Sequence, residues 1–422
     1  MSNNKSEWPL PFAEPEEVGI SSERLSHIRP ALQKFIDERK DPNFVTMVIK
    51  NGKIVHYEAQ GYMDFESQKP AQRNTIYRLW SNTKPITGVA TMKCVEEGVL
   101  SLDDPVSKYI PAYKNQRVRA PAHQGPMLQT PTVPVDRDIT VRDCLRNTTG
   151  LPTARRVPLT YLNEFKDILP KTSLLSPPGL MPVGMRESLD ALAQLPLESQ
   201  PGTQFEYQVG YPIVGIVIET VTGRTLEEFY QEQIFKPLGM EDSSFYLPEE
   251  KLDRFPTLYS PVRENDEWKL VVSEEPEKSE KVIGPKTYFE AGGGGGGVLT
   301  TVADYARFAQ MLLNGGEMDG IRILSRKSVE IMTSSHTGDM VLPLSNPSLG
   351  FGMGVGVLKK GGNPGYRGVG TYGWGGAAGT SYFADPKEEL ICICFTQVFM
   401  HQVTGNNTYL EDFERLVYQS LI

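Results

Sequence analysis

Hydrophobic and polar positions follow two different periods near the start of the chain. Over residues 22–39 apolar side chains recur every three or four positions, which predicts an amphipathic helix. Pro30 lies inside this stretch and predicts a kink or a later start. Two β-rich segments follow over 45–57 and flank Asn51-Gly52, a pair typical of a two-residue hairpin turn. The pattern therefore predicts a helix followed by two adjacent antiparallel strands.

The C-terminal part of the chain contains the same kinds of element. Residues 351–357, 371–374, 380–384 and 390–396 have the composition of short strands. Residues 409–421 place apolar side chains on one side of a helix. Strands and packing helices are thus predicted at both ends of the chain.

The middle of the chain differs from both ends. Residues 102–290 are rich in proline and contain short helical patterns, among them 141–147 and 211–222. The strongly charged segment 262–282 is expected to be solvated. We therefore expect a helical, loop-rich region between two sheet-forming ends.

These elements predict an α+β fold with two domains. One domain, residues 1–101 plus 291–422, contains an antiparallel sheet formed from both chain ends and flanked by helices. The other domain, residues 102–290, is mainly helical and is inserted between the second and third strands. The cleft between the two domains is the expected place for an active site.

Composition and charge then narrow the possible functions. The chain has 422 residues, a net charge of −9 and a pI near 5.3, which argue against nucleic-acid binding and against attraction to anionic membranes. No apolar run approaches the ~18 residues of a membrane span, and the first residues lack the apolar segment of a signal peptide. We therefore expect a cytoplasmic monomer or homodimer whose partner is a small-molecule substrate rather than nucleic acid or a membrane.

The cysteines and histidines give no sign of a metal or cofactor. The cysteines are too few and too scattered for a disulfide framework and have no further metal ligands nearby; they are Cys94, Cys144, Cys392 and Cys394. No histidine stands in a recognisable catalytic context, and each is interpreted as a surface or packing residue; they are His27, His56, His123, His336 and His401. A Ser-His-Asp mechanism therefore has little support.

Other common signatures are missing from the sequence. There is no Gly-x-Ser-x-Gly elbow and no His-Glu-x-x-His zinc motif. The glycine run 292–297 is not a phosphate-binding loop, because residues 298–300 do not supply the required Gly-Lys-Ser/Thr. We interpret the run as backbone that passes close to something bulky and leads into a helix capped by Thr301.

The motif Ser81-Asn82-Thr83-Lys84 is the remaining candidate for a nucleophile. It follows the strand-like segment 76–80 and precedes a predicted helix, so Ser81 and Lys84 lie on one helix face. A serine becomes a good nucleophile when a base takes its proton, and burial at the positive end of a helix disfavours an ammonium ion. The motif alone is weak, because a second match occurs at residues 2–5, and a capping serine with a surface lysine is the alternative.

Two further segments change this interpretation. Residues 201–211 and 372–380, together with 81–84, resemble the three motifs of the serine β-lactamase and penicillin-binding-protein superfamily. Within it they look most like family VIII carboxylesterases, which are related to class C β-lactamases. Residues 14–20 resemble the usual opening of that family, and 143–151 resemble its Leu-Leu-x-His-Thr-Ser-Gly-Leu segment. The resemblance covers most of the chain in the expected order and implies a serine β-lactamase-like fold.

The resemblance also implies roles for individual residues. Ser81 would be the acylated nucleophile, Lys84 its base or proton relay, and Tyr207 the group that passes the proton to a leaving alcohol. The backbone N–H groups of Ser81 and Ala377 would form an oxyanion hole. The implied substrate-binding residues are Trp374, Gly375, Gly376, Val209 and Tyr211.

Two departures from the superfamily pattern bear on the substrate. Val209 replaces the asparagine of Tyr-x-Asn, and 374–376 reads Trp-Gly-Gly where β-lactamases carry Lys-Thr-Gly. Since the cation that holds an antibiotic carboxylate is missing, we expect a serine hydrolase of short-chain carboxylic esters. The alternatives are a β-lactamase or D-amino-acid peptidase, an acyltransferase using the same site, and a non-catalytic ligand-binding protein like penicillin-binding proteins.

Overall fold

The computed structural model describes residues 9–120, 131–152, 185–207, 210–279, 293–340, 342, 348–359, 365–401 and 408–422. In chain order the strands are β1 (Asn43–Lys50), β2 (Lys53–Asp64), β3 (Lys69–Pro70), β4 (Tyr77–Arg78), β5 (Arg117–Arg119), β6 (Thr132–Pro134), β7 (Leu258–Glu264), β8 (Glu267–Glu274), β9 (Leu299–Thr300), β10 (Glu317–Met318), β11 (Ile321–Arg322), β12 (Leu349–Phe351), β13 (Gly356–Leu358), β14 (Tyr372–Gly375), β15 (Ser381–Asp385) and β16 (Leu390–Phe395). The α-helices are α1 (Ser22–Leu25), α2 (Ile28–Asp37), α3 (Lys84–Glu96), α4 (Val141–Leu145), α5 (Met185–Leu192), α6 (Gly210–Thr222), α7 (Leu226–Tyr230), α8 (Lys236–Leu238), α9 (Val302–Leu313), α10 (Arg326–Met332) and α11 (Thr408–Gln419).

The main sheet draws its strands from both ends of the chain. It has eight strands in the order β12-β13-β14-β15-β16-β1-β2-β3, and every neighbouring pair is antiparallel. The two ends meet where β1 pairs with β16, with Val45 opposite Phe395 and Lys50 opposite Leu390. The predicted α+β fold, with a sheet from both chain ends flanked by helices, is confirmed.

The N-terminal elements follow from their residues. Pro30 lies in the first turn of α2, where its missing N–H leaves no helical hydrogen bond unmade, and the predicted helix is accordingly split into α1 and α2. Asn51 and Gly52 have φ values of 53° and 72°. This is the geometry of a type I′ hairpin turn, which suits the twist of β1 and β2.

Two sequence-based expectations about the sheet were wrong. The segment 351–357 is not one strand, because the chain reverses between β12 and β13 and Gly354 has φ of 105°. The region 102–290 also does not lie between the second and third strands, since β3 is already the third strand of the main sheet in chain order. A two-residue edge strand such as β3 has too few residues to show a recognisable pattern.

The described part of the middle region contributes helices, loops and small hairpins. The charged segment that begins at 262 contains most of the hairpin β7–β8, whose turn residues Asn265 and Asp266 both have positive φ. Most of β8 is exposed, which agrees with the expected solvation. The division into domains of 1–101 with 291–422 and of 102–290 stays a prediction.

The hydrophobic core lies on both faces of the sheet. On one face, apolar side chains of β1 and β16 pack against α2 and α11. On the other face, alternate residues of the same strands pack against α9, and α3 and α6 belong to the same core. Helix α3 is buried over most of its length, so its N-terminus lies inside the protein. Of the helices in the described ranges, none has the length and apolarity needed to span a membrane.

Candidate active site

Ser81 lies in a tight turn between a short strand and a buried helix. Strand β4 ends at Arg78, and the 3₁₀ turn Trp80–Thr83 leads directly into α3. Trp80, immediately before the serine, has φ of 50°, which is unusual for a large side chain. Backbone strain of this kind is concentrated at functional sites, where the surrounding structure fixes it.

Lys84 is the first residue of α3 and is 3% exposed. Its Nζ lies 3.0 Å from the Oγ of Ser81 and 2.7 Å from the carbonyl oxygen of Gly295. The same amine lies over two aromatic rings, 4.8 Å from the centroid of Tyr207 and 5.3 Å from that of Tyr211. A protonated amine donates to the serine hydroxyl, whereas a neutral amine accepts its proton. The contact therefore has the geometry of a nucleophile with its base.

Tyr207 reaches this amine from the loop before α6. The preceding residue anchors that loop, because the backbone N–H of Glu206 donates to the carbonyl oxygen of Asn147 at 2.7 Å. The Tyr207 ring stacks on Phe205 and contacts Trp374, with centroid distances of 6.4 Å and 5.6 Å. The indole Nε1 of Trp374 donates to the Tyr207 hydroxyl oxygen at 2.9 Å. Tyr207 is thus oriented toward both Lys84 and Trp374.

Trp374 is held between aromatic neighbours and a glycine. Phe351 meets its ring edge to face, with a centroid distance of 4.8 Å and an interplanar angle of 89°. Gly356 provides the room, because a Cβ atom at this position would lie 2.8 Å from the indole ring. The indole N–H is therefore presented to Tyr207 in a fixed orientation.

The end of β14 packs against Leu79, which precedes the 3₁₀ turn Trp80–Thr83 that carries Ser81. We call this turn the nucleophile turn. A Cβ atom on Gly376 would lie 2.1 Å from the carbonyl oxygen of Leu79, so only glycine fits there. The hydroxyl of Thr380 donates to the same carbonyl oxygen at 2.9 Å. The loop between these two residues, which contains Ala377, is thereby placed beside the turn that carries Ser81.

Two backbone N–H groups at this junction are available to a ligand. Ser81 lies at the start of the 3₁₀ turn, where helical N–H groups have no internal acceptor. The N–H of Ala377 likewise makes no hydrogen bond with the described residues, although its carbonyl oxygen accepts from the N–H of Met400 at 2.7 Å. A pair of unbonded N–H groups beside a nucleophile can stabilise the oxygen of a tetrahedral intermediate.

The structure brings together most of the predicted site residues. Ser81, Lys84, Tyr207 and Trp374 form one connected set of contacts. Tyr211 has no exposed surface and donates its hydroxyl proton to a backbone carbonyl, so it lies behind Lys84 rather than facing solvent.

The remaining predicted positions divide into two groups. Gly375 and Gly376 lie next to Trp374, at the end of β14. Val209 lies outside the described residues. Its predicted contact with substrate therefore stays a prediction.

The glycine run supplies two carbonyl oxygens to α3, and the sequence does not predict this role. The carbonyl oxygen of Gly295 accepts from Lys84, and that of Gly294 accepts from the hydroxyl of Thr87 in the same helix. A Cβ atom on Gly294 would lie 3.0 Å from the carbonyl oxygen of Tyr211. The run of glycines indicated a close approach, but the partner, the catalytic-motif lysine, could not be identified from spacing.

Comparison with known proteins identifies the family of this chain. A family profile described as Beta-lactamase matches residues 29–412. The chain belongs to the beta-lactamase family. Protein Rv1367c of Mycobacterium tuberculosis is 32% identical over 365 residues, which cover 84% of this chain and 85% of that protein. Esterase EstB of Burkholderia gladioli is 27% identical over 379 residues, or 87% and 89% of the two chains.

A solved structure shows that the fold is shared as well. The protein described as "EstCE1, a hydrolase with promiscuous acyltransferase activity" has a TM-score of 0.73 to this chain at 23% identity, covering 94% of this chain and 99% of its own. The serine β-lactamase-like fold implied by the motifs is therefore confirmed. Within the described parts of this beta-lactamase-family protein, no cluster of three side chains is suited to hold a metal ion.

Proposed function

We propose that this beta-lactamase-family protein is a serine hydrolase that cleaves short-chain carboxylic esters through an acyl-enzyme on Ser81. The observation that carries the proposal is the 3.0 Å contact between Ser81 and the buried amine of Lys84, with Tyr207 packed over the same amine. A nucleophile, a base and a second proton carrier are the groups that acyl transfer through serine requires. A relative named Esterase EstB supports ester substrates.

The proposed cycle has two acyl-transfer steps. The Oγ of Ser81 forms a bond to the ester carbonyl carbon while its proton passes to Lys84, and the carbonyl oxygen takes the negative charge. The N–H groups of Ser81 and Ala377 bind that oxygen. As the ester bond breaks, the alcohol leaves with a proton returned through Lys84 and Tyr207. Water then attacks the acyl-enzyme by the same route, releasing the acid and restoring the serine.

The surroundings of Tyr207 favour neutral substrates. Trp374 occupies the motif position where β-lactamases carry a lysine, and its contacts with Tyr207 and Phe351 are aromatic. An indole offers one N–H donor and no positive charge, so it gives an antibiotic carboxylate no ion pair. This observation supports an esterase over a β-lactamase or D-amino-acid peptidase.

Acyl transfer to an alcohol is the second candidate function. The same acyl-enzyme can be attacked by an alcohol instead of water, and the description of the structurally similar EstCE1 names both hydrolase and acyltransferase activity. Hydrolysis and transfer then differ only in the second nucleophile. We place hydrolysis first because it requires no binding site for an acceptor.

Rates with an ester and a cephalosporin, and product analysis with added alcohols, test the proposal. The protein should hydrolyse 4-nitrophenyl acetate or butyrate with kcat/KM at least 100-fold above that for a chromogenic cephalosporin. Product analysis with added short alcohols would detect transfer. Ser81→Ala should abolish all of these activities, whereas Ser334→Ala, at an exposed serine distant in sequence, should not change them. Faster turnover of the cephalosporin, or ester hydrolysis that persists in Ser81→Ala, would contradict the proposal.

A further inference from the structure

Two buried titratable side chains lie behind the Ala377 loop and take no part in the proposed cycle. The side chains of Asp41 and His401 are 0% and 3% exposed, and Asp41 Oδ2 lies 3.2 Å from His401 Nε2. Burial raises the pKa of Asp41, so its carboxylate is poorly solvated and depends on its partners. Buried polar pairs seldom add net stability, but they can fix a particular conformation. Their place in the fold indicates which conformation this pair fixes.

One set of contacts runs along the backbone from His401 to the loop. The preceding residue, Met400, donates its N–H to the carbonyl oxygen of Ala377 at 2.7 Å. Met400 has φ of 55°, a left-handed conformation that a non-glycine residue keeps only when its neighbours hold it. The hydrogen bond between His401 and Asp41 fixes the residue that follows Met400 in the chain.

A second set of contacts runs through side chains. The His401 ring meets the Tyr409 ring edge to face, with centroids 4.9 Å apart, and the Tyr409 hydroxyl donates to the carbonyl oxygen of Gly379 at 3.2 Å. The other oxygen of Asp41 accepts a long hydrogen bond of 3.4 Å from Thr396. A Cβ atom on Gly379 would lie 2.4 Å from the Thr396 methyl group. Asp41 and His401 therefore contact both side chains that support this part of the loop.

We propose that the Asp41–His401 pair positions the oxyanion hole. By holding Met400 and Tyr409, it keeps the loop 376–380 against the nucleophile turn, with the N–H of Ala377 directed at the ester oxygen. Both are positioning residues, because neither touches the reacting atoms. The inference rests on the proposed function, since it requires Ala377 to bind the oxyanion.

The size of the expected effect follows from how much one oxyanion-hole donor contributes to the reaction rate. Loss of one donor costs about 10²–10³-fold in rate, and a displaced donor costs part of that. His401→Leu should therefore lower kcat/KM for 4-nitrophenyl acetate about 10- to 100-fold. His401→Gln can place an amide N–H near the position of Nε2 and donate to Asp41, so it should restore the rate to within about threefold of wild type.

The carbonyl stretching frequency of the acyl-enzyme separates positioning from general destabilisation. Hydrogen bonds in the oxyanion hole lower this frequency in the infrared spectrum of a slowly hydrolysed acyl-enzyme. His401→Leu should shift it upward, toward the value of a free ester, and His401→Gln should not. Thr46→Val is the matched control. It removes the 2.7 Å hydrogen bond to His56 in the same sheet, so it should lower stability without moving the frequency.

Each outcome of this experiment decides the inference. An unchanged rate and frequency in His401→Leu would overturn it, while acylation of Ser81 in the wild type would leave the proposed function standing. If wild-type Ser81 forms no acyl-enzyme, the proposed function fails and the inference fails with it. If His401→Leu does not fold, Tyr409→Phe replaces it. Loss of the hydroxyl bonded to Gly379 should raise the frequency and slow acylation about threefold, and an unchanged frequency would overturn the inference.

Discussion

Ser81 in the 3₁₀ turn and Lys84 at the start of α3 lie three residues apart. Tyr207 and Trp374 lie 167 residues apart and meet through side chains. Helix geometry alone brings the first pair together, because positions i and i+3 share a face. The second pair depends on contacts between distant parts of the chain, among them Phe351 against the indole ring. We call these the local pair and the long-range pair. The comparison teaches that the local pair is set by sequence spacing, while the long-range pair is set by packing.

The largest effect is expected at the local pair. Lys84→Met should lower kcat/KM for 4-nitrophenyl acetate by about 10³-fold, because it removes the base and keeps an apolar stem of similar length. The melting temperature should not fall, since a buried amine is replaced by an apolar group. Steady-state kinetics and thermal unfolding check both points. Lys93→Met, in the same helix, is the control, and equal losses in the two variants would contradict the role of Lys84.

Tyr207→Phe tests the long-range pair and should lower kcat/KM by about 10²-fold through loss of the second proton carrier. Tyr211→Phe is the matched control. It also removes a phenol hydroxyl near Lys84, but that hydroxyl donates to a backbone carbonyl. We expect Tyr211→Phe to lower stability and to keep most of the activity. A larger loss of activity in Tyr211→Phe than in Tyr207→Phe would contradict the proton-carrying role of Tyr207.

A smaller effect on kcat/KM is expected when the hydrogen bond within the long-range pair is removed. Trp374→Phe keeps a ring and removes the 2.9 Å hydrogen bond to Tyr207, so kcat/KM should fall about tenfold. In a Tyr207→Phe background the same substitution should cause almost no further loss. This double-mutant cycle measures the coupling of the two side chains. Additive losses would show that Trp374 acts on the substrate independently of Tyr207.

The smallest effect on activity is expected at Asp304, a buried carboxyl in the first turn of α9 that contacts neither pair. Burial raises the pKa of its carboxyl from the ordinary value of 3.8 to about 7, and the charge of Asp242 adds to this. Between these values the folded protein binds one more proton than the unfolded chain. The free energy of unfolding should therefore fall as the pH rises through this window, by about 1.4 kcal/mol per pH unit.

Urea unfolding at several pH values checks this expectation. In Asp304→Asn the free energy of unfolding should not show this decrease with pH, because the asparagine side chain does not titrate. Its esterase activity at pH 7 should stay within about twofold of wild type. Parallel pH dependences of stability in the two proteins would contradict a protonated Asp304. A large loss of activity would instead show that α9 contributes to one of the two pairs.

The same contrast explains how much of the molecule could be predicted from the sequence. The hairpin turn at Asn51-Gly52 and the spacing of Ser81 and Lys84 are local features, and both agree with the structure. The partners of Lys84 in the glycine run and the loop contacts of His401 are set by tertiary packing. The sequence indicates only a packing or surface residue at His401, because a lone histidine has no spacing that points to Asp41, 360 residues away in the chain.

The resemblance to a known superfamily supplied what local patterns could not. Motif positions predict Tyr207 and Trp374 as site residues, and the two side chains are in contact in the structure. Tyr211 came from the same segment but packs beneath Lys84 with no exposed surface, because α6 turns its side chain into the core. A motif therefore locates a segment reliably, while the direction of each side chain depends on packing.

The most direct test of the central claim is the mass of the intact protein after treatment with a fluorophosphonate, followed by peptide mapping. We predict one adduct, on Ser81, that is absent in Ser81→Ala, forms at least 100-fold more slowly in Lys84→Met and forms at the normal rate in Lys93→Met. No adduct in the wild type, or an adduct on another serine, would contradict an acyl-enzyme at Ser81.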